Sequence, residues 1–177
     1  LLIFVVSISA GIVVLGILLA SPLVRMIAPG FISDSAKFHL TVNLTRLLFP
    51  YLVLISVSAY FMSISNALKS FAVPALSSTV FNLVLIVAIF FIGKTSVAEP
   101  VIILGFAILL AGVAQVVVQG PSLLRHGVDF RSAGVYARPF QHESIRKVGR
   151  LIVPRIVGSS IYQLNIFVDT IFASFSF

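Results

Sequence analysis

The chain has 177 residues, of which 59% are apolar and only 10% charged, and its formal net charge is +7. Soluble domains carry about 25% charged residues, so a water-facing exterior of this composition would be oil-like, and lipid must be the solvent for most of these side chains. With no cysteine in the sequence, disulfides and thiolate metal sites are excluded.

A bilayer core needs roughly 20 apolar residues in a helix. Charge-free runs of that order lie at 1–24, 47–68, 70–93 and 100–124, and a fifth at 156–177 contains a single charge, Asp169. Backbone groups left unpaired in hydrocarbon are too costly, so long apolar runs predict helices, whereas barrel strands would be shorter and would alternate. The expected fold is all-α: a polytopic bundle of about five membrane-spanning helices. The predicted spans are 1–24, 41–68, 74–93 and 100–120, then a basic connector over 121–149, then a further helix over 150–177. The chain begins without methionine and ends inside an apolar stretch. We read both ends as truncations.

Punctuation along the chain is chemically coherent. Ala28-Pro29-Gly30 closes the first helix, and Ser33-Asp34-Ser35 offers an N-cap for the approach to the second. Pro74 and Pro100 suit first-turn positions, where a missing N–H costs nothing. Gly120-Pro121 falls near the end of the fourth helix. Pro50 and Pro154 fall within or near the start of helices and predict kinks. Gln141 to Arg150 reads as a short amphipathic helix at headgroup level or simply as connector. Small residues at four-residue spacing, Ser7 with Gly11 and Ala59 with Ser63 and Ala67, are candidate close-packing faces. Asn66, Asn82, Gln115 and Gln119 are single amides suited to interhelical hydrogen bonds.

Eight of the twelve basic residues, Lys69 and seven from Arg125 to Arg155, fall on one side of this topology. The positive-inside rule puts that side, with residue 1 and the 121–150 segment, in the cytoplasm. The excess charge is therefore a topology signal. Nucleic acid is not an expected partner, because the basic loop lacks aromatic spacing and carries Asp129 and Glu143.

No catalytic constellation is present: no Gly-rich phosphate loop, paired carboxylates or nucleophile elbow, and His39, His126 and His142 do not fall at metal-ligand spacings. The chain reads as a non-enzyme without a cofactor. The informative segment is the fifth helix, where Arg155, Gly158, Tyr162, Asn165 and Asp169 fall within roughly 80° of arc at 100° per residue. A carboxylate inside a span must face protein or a wet cavity. Asp169 is thus a candidate cation, proton or substrate site, with a structural ion pair or interhelical hydrogen bond as the alternative. Arg155 either snorkels to headgroups or projects into a cavity toward phosphate.

Several segments resemble one transporter family. Ile27-Ala28-Pro29-Gly30-Phe31, Leu44-Thr45-Arg46-Leu47-Leu48-Phe49-Pro50-Tyr51, Asn66-Ala67 with Phe71, Pro74-Ala75 and Asn82, and Gly112 with Gln115 occur in the order seen in the MurJ/MviN family. So do Gln163-Leu164-Asn165, Val168-Asp169-Thr170 and Phe172-Ala173-Ser174. The resemblance implies a member of the multidrug/oligosaccharidyl-lipid/polysaccharide exporter superfamily, with fourteen helices in two lobes. It further implies flipping of lipid II, the undecaprenyl-pyrophosphate-linked peptidoglycan precursor, across the bacterial inner membrane by alternating access. In that frame residues 1–120 are N-lobe helices, 121–149 the cytoplasmic connector and 150–177 the first C-lobe helix. Arg155, Tyr162, Asn165 and Asp169 would line the central cavity, Asp169 would be a cation site, and Pro154 and Gly158 would form a hinge. The implied partners are a lipid-linked oligosaccharide, membrane lipids and Na+ or H+. Alternatives are an O-antigen or polysaccharide flippase, a drug–cation antiporter, or a non-transporting membrane scaffold.

Overall fold

The computed structural model describes residues 2–94, 100–128 and 143–175, with backbone alone over 143–155 and at 157. The described elements are α1 (Leu2–Leu18), α2 (Ala20–Ile27), a 3-10 turn (Pro29–Ser33), α3 (Ser35–Leu48), α4 (Tyr51–Ala67), α5 (Ala72–Lys94), α6 (Pro100–Arg125) and α7 (Glu143–Phe175). The described residues form helices and turns without strands, as expected for an all-α membrane bundle. Three helical stretches, Ser35–Ala67, Ala72–Lys94 and Pro100–Arg125, are long and apolar enough to cross a membrane, and four if α1 with α2 counts as one broken span.

The differences from the sequence reading have local causes. The run at 1–24, read as one span, is two helices separated at Leu19, which has φ −92° and ψ 8°. Pro22 supplies no N–H to the carbonyl four residues back and its ring crowds that carbonyl, so the helix restarts at Ala20. Pro50 similarly separates α3 from α4. The N–H groups of Leu52 and Val53 bond three residues back, to Phe49 and Pro50, so the ladder is tightened there. Pro121 does not end α6, which continues to Arg125. Residues 143–150, expected in a separate headgroup helix, are instead continuous with α7, which runs from Glu143 through Pro154 to Phe175. Residues 129–142 of the expected connector lie outside the described residues.

The chain divides into two units. The first comprises Leu1–Ile17 with Leu44–Ala133 and is organised around α6, which packs against α5 and α4. Close approach is set by small residues. A Cβ at Gly105 would lie 2.7 Å from Leu47, one at Gly112 2.9 Å from Tyr51, and one at Gly16 2.0 Å from Phe49. Seven residues beyond Gly112, the Gln119 amide is fully buried, and its Nε2 donates to Ser58 Oγ at 2.7 Å and to the Gln115 carbonyl at 3.2 Å. Gly105, Gly112 and Gln119 therefore form one seam, in which glycines admit the facing side chains and an amide ties α6 to α4.

The small-residue faces chosen from sequence are not the ones used. Ser7, Gly11, Ala59, Ser63 and Ala67 are exposed, whereas Ser9, Val13 and Gly16 of α1 and Ser58, Phe61 and Ser65 of α4 are buried. Both helices carry small residues on more than one face, so spacing alone does not select the contact. Asn66 and Asn82 are likewise exposed, and among the amides it is Gln119 that bridges helices. Ile86 and Phe91 of α5 are 65% and 63% exposed, the surface expected of a helix facing lipid.

The second unit comprises Leu18–Asn43 and Gly134–Phe177. Its small core is Ala20, Val24 and Val42 with Phe38 against them. Asp34 caps α3 as expected, its Oδ1 accepting from the N–H groups of Ala36 and Lys37 at 3.1 Å. The 3-10 turn packs on α7.

Candidate functional site

The candidate site is the polar face of α7, in the second unit. Ile, Leu, Val and Phe dominate this helix, and its described serine and threonine hydroxyls are satisfied within it. Ser160 Oγ donates to the Ile156 carbonyl, Thr170 Oγ1 to Ile166 and Ser174 Oγ to Ile171, each at 2.7 Å. Hydroxyls can close such bonds on their own helix. The Asn165 amide, the Tyr162 phenol and the Asp169 carboxylate make no such bond, nor any hydrogen bond or ion pair among the described residues.

One side of α7 is already occupied. Ser174 Oγ accepts a 3.1 Å hydrogen bond from the Gly30 N–H, so Ser174 is held on the 3-10 turn. Phe167, Gln163 and Thr170 line, with Ile27, a groove of about 560 Å³. At 100° per residue, Phe167 and Ser174 lie roughly 140–160° around the axis from Asp169. The polar stripe therefore points away from the unit's own partners. Gly158, Asn165 and Asp169 are exposed, Tyr162 is 67% exposed, and a Cβ at Gly158 would meet nothing within 4 Å. The structure thus keeps Tyr162, Asn165 and Asp169 on one open face. The side chains of Arg155 and Pro154 lie outside the described residues.

From Tyr162 to Asp169 the stripe rises about 10 Å, so it is a wall and not a point site. Its single carboxylate does not assemble a cation cage, and no group of three His, Asp or Glu among the described residues could hold a metal ion. What the face offers is one acidic group, one amide and one phenol on an apolar helix. Sequence reading missed the Gly30–Ser174 junction that orients this face. Both residues lay in segments noted for the resemblance, but their pairing across the chain has no local signal.

Long apolar helices broken at prolines, packed through glycines and tied by a buried amide, with a polar face left open, define a polytopic α-helical membrane protein. Comparison with known proteins narrows the class. The sequence model of the family described as Lipid II flippase MurJ matches residues 1–177. The chain is 33% identical over 161 residues to a protein of Burkholderia cenocepacia named "Lipid II flippase MurJ", covering 91% of this chain and 31% of that protein. It is similar also to two proteins named "Probable lipid II flippase MurJ". One is from Buchnera aphidicola subsp. Schizaphis graminum, 31% identical over an alignment of 178 positions that covers 97% of this chain and 32% of the relative. The other, from Treponema pallidum, is 32% identical over 168 residues, covering 95% and 30%. The chain belongs to the MurJ lipid II flippase family, and it spans about a third of the length of these relatives.

Proposed function

We propose that this chain forms part of a flippase that carries lipid II across the bacterial inner membrane by alternating access, with the open face of α7 lining the path of the headgroup. The observation that supports this most is the unpartnered Tyr162–Asn165–Asp169 stripe. A carboxylate on a membrane helix is too costly to leave toward lipid, so a wet cavity between helices is its natural surrounding. In this reading residues 1–120 belong to one lobe and 150–177 open the other. Residue 1 and the basic 121–150 segment are cytoplasmic, in keeping with the charge asymmetry. Arg155 is the candidate contact for the pyrophosphate, Asp169 binds the coupling Na+ or H+, and the Pro154–Gly158 region changes curvature as the lobes rock. Transport requires no covalent chemistry from these residues, and membrane potential or a cation gradient supplies the driving force.

The test is complementation of a strain depleted of its own lipid II flippase by the full-length gene. Rescue by wild type but not by Asp169→Asn, at equal membrane levels, is the expected result. Rescue by both would reduce Asp169 to an interhelical hydrogen-bonding role, since the amide keeps polarity and loses charge. Failure of well-expressed wild type would move the substrate to another lipid-linked glycan.

A further inference from the structure

Away from the α7 stripe, α2, the 3-10 turn and the start of α3 enclose a second pocket of about 440 Å³, lined by Ser21, Arg25, Ile32, Ser35, Phe38 and His39. Its chemistry is one-sided. The Arg25 guanidinium carbon lies 5.7 Å from the centroid of the Phe38 ring, and His39 meets the same ring edge-on at 5.9 Å. Phe38 is itself packed against the Ala20–Val24–Val42 core, and both basic groups lie beside its ring. Among the described residues Arg25 and His39 make no hydrogen bond or ion pair, and the hydroxyls of Ser21 and Ser35 make no hydrogen bond.

The neighbouring carboxylate is committed elsewhere. Asp34 caps the first turn of α3 and pairs with Lys37 at 3.8 Å, and it does not line the pocket. The pocket therefore presents a guanidinium fork, an imidazole and two hydroxyl donors with no lining carboxylate. That donor set matches a phosphate oxygen cluster, for which a guanidinium is geometrically suited. The surroundings are apolar. Ile32, one wall of the pocket, is 56% exposed, and Met26, next to Arg25, is 66% exposed. In a membrane protein such side chains sit against lipid tails, beside which a free anion would be a poor neighbour.

We propose that this pocket binds the phosphate of an anionic membrane lipid, with Arg25 as the principal ligand, His39, Ser21 and Ser35 completing the donor set, and Ile32 against the glycerol and upper acyl chain. The site is separate from the α7 stripe and stands whether or not the chain takes part in flipping lipid II. Bound lipid would fasten the broken α2–turn–α3 segment to the membrane surface through a charge that the pocket's own residues leave unbalanced.

Native mass spectrometry of the full-length protein, released from micelles doped with phosphatidylglycerol, tests this directly. Wild type should retain the lipid, and Arg25→Gln should retain roughly fivefold to tenfold less, the loss of one charge-assisted contact. Lys37→Gln removes the same charge from the same segment but off the pocket, and should retain lipid as wild type does. Millimolar inorganic phosphate should not displace the lipid. Equal retention by Arg25→Gln and wild type would overturn the proposal, as would equal loss in Lys37→Gln, which would mean nonspecific charge attraction. Displacement by inorganic phosphate would overturn the lipid assignment in favour of a free anion. Should Arg25→Gln prove misfolded by size exclusion, His39→Ala with Ser35→Ala carries the same expectation without touching the cation on Phe38.

Discussion

Replacing Gly30 by alanine probes the junction that aims the α7 stripe. A Cβ there would fall 2.1 Å from the Ser174 carbonyl oxygen and 2.5 Å from its carbonyl carbon. The obstacle is backbone, so no rotamer change relieves it. The 3-10 turn and α7 would have to separate by on the order of 1 Å, which interiors packed at crystal density resist. The Gly30 N–H to Ser174 Oγ bond would be lost in the same movement. Overpacking of this kind costs about 1–3 kcal/mol, and an interhelical hydrogen bond in a membrane protein averages about 0.6 kcal/mol. Gly30→Ala should therefore destabilise by about 2–4 kcal/mol. The requirement is steric and not conformational, because Gly30 does not have positive φ; among the described glycines Gly127 does. The assay is the midpoint of heat-induced loss of monodisperse full-length protein in detergent. Ser174→Ala should lose only the hydrogen bond, about 0.6 kcal/mol. Adding Ser174→Gly to Gly30→Ala should not rescue it, since the clash is with main chain. Gly11→Ala, where a Cβ meets nothing within 4 Å, serves as the control and should be neutral or better. A Gly30→Ala midpoint equal to that of Gly11→Ala would refute the packing argument.

Other substitutions separate the remaining contributions. Gln119 Oε1 is buried without a partner while Nε2 is bonded, so Gln119→Leu should cost less than about 1 kcal/mol in the same assay, whereas Gln119→Ala, which leaves a void, should cost about 2–4 kcal/mol. Lys69 is the one non-glycine residue with positive φ among those described, at 58°, in the turn where the Ser70 N–H bonds the Ser65 carbonyl. Lys69→Gly should raise stability by about 1 kcal/mol by removing the left-handed penalty, and an unchanged midpoint would show the strain to be absent. Gly158→Ala meets open space and should hold or raise stability. If the Pro154–Gly158 region bends during transport, the same variant should lower the rate of lipid II exposure at the outer face in cells, and a normal rate would exclude Gly158 as a hinge.

Membrane residence, helical class and the polar stripe were legible because each depends on the local period of the chain. Twenty apolar residues in a row need a helix in lipid wherever they occur, and Tyr162, Asn165 and Asp169 share a face on any helix built from that sequence. Asp34 capped α3 as its residue type and place required. The junction of α1 and α2 was missed although Pro22 stood in plain view, because uniform apolarity hid the one backbone donor that was lacking. The packing faces were a different matter. α1 carries small residues on several sides, and whether Ser9, Val13 and Gly16 or Ser7 and Gly11 lie inward depends on where the Phe49 ring comes to rest.

Sequence alone thus determined solvent, helical class and which residues of α7 share a side, since these follow from hydropathy and helical period. Tertiary structure alone decided which side faces outward. The Gly30–Ser174 contact joins residues 144 positions apart, and it docks one edge of α7 so that Asp169 is left on the open one. The same is true of the pocket at Arg25. Its polar groups come from two helices, α2 and α3, and are brought together only once Phe38 is seated against the core.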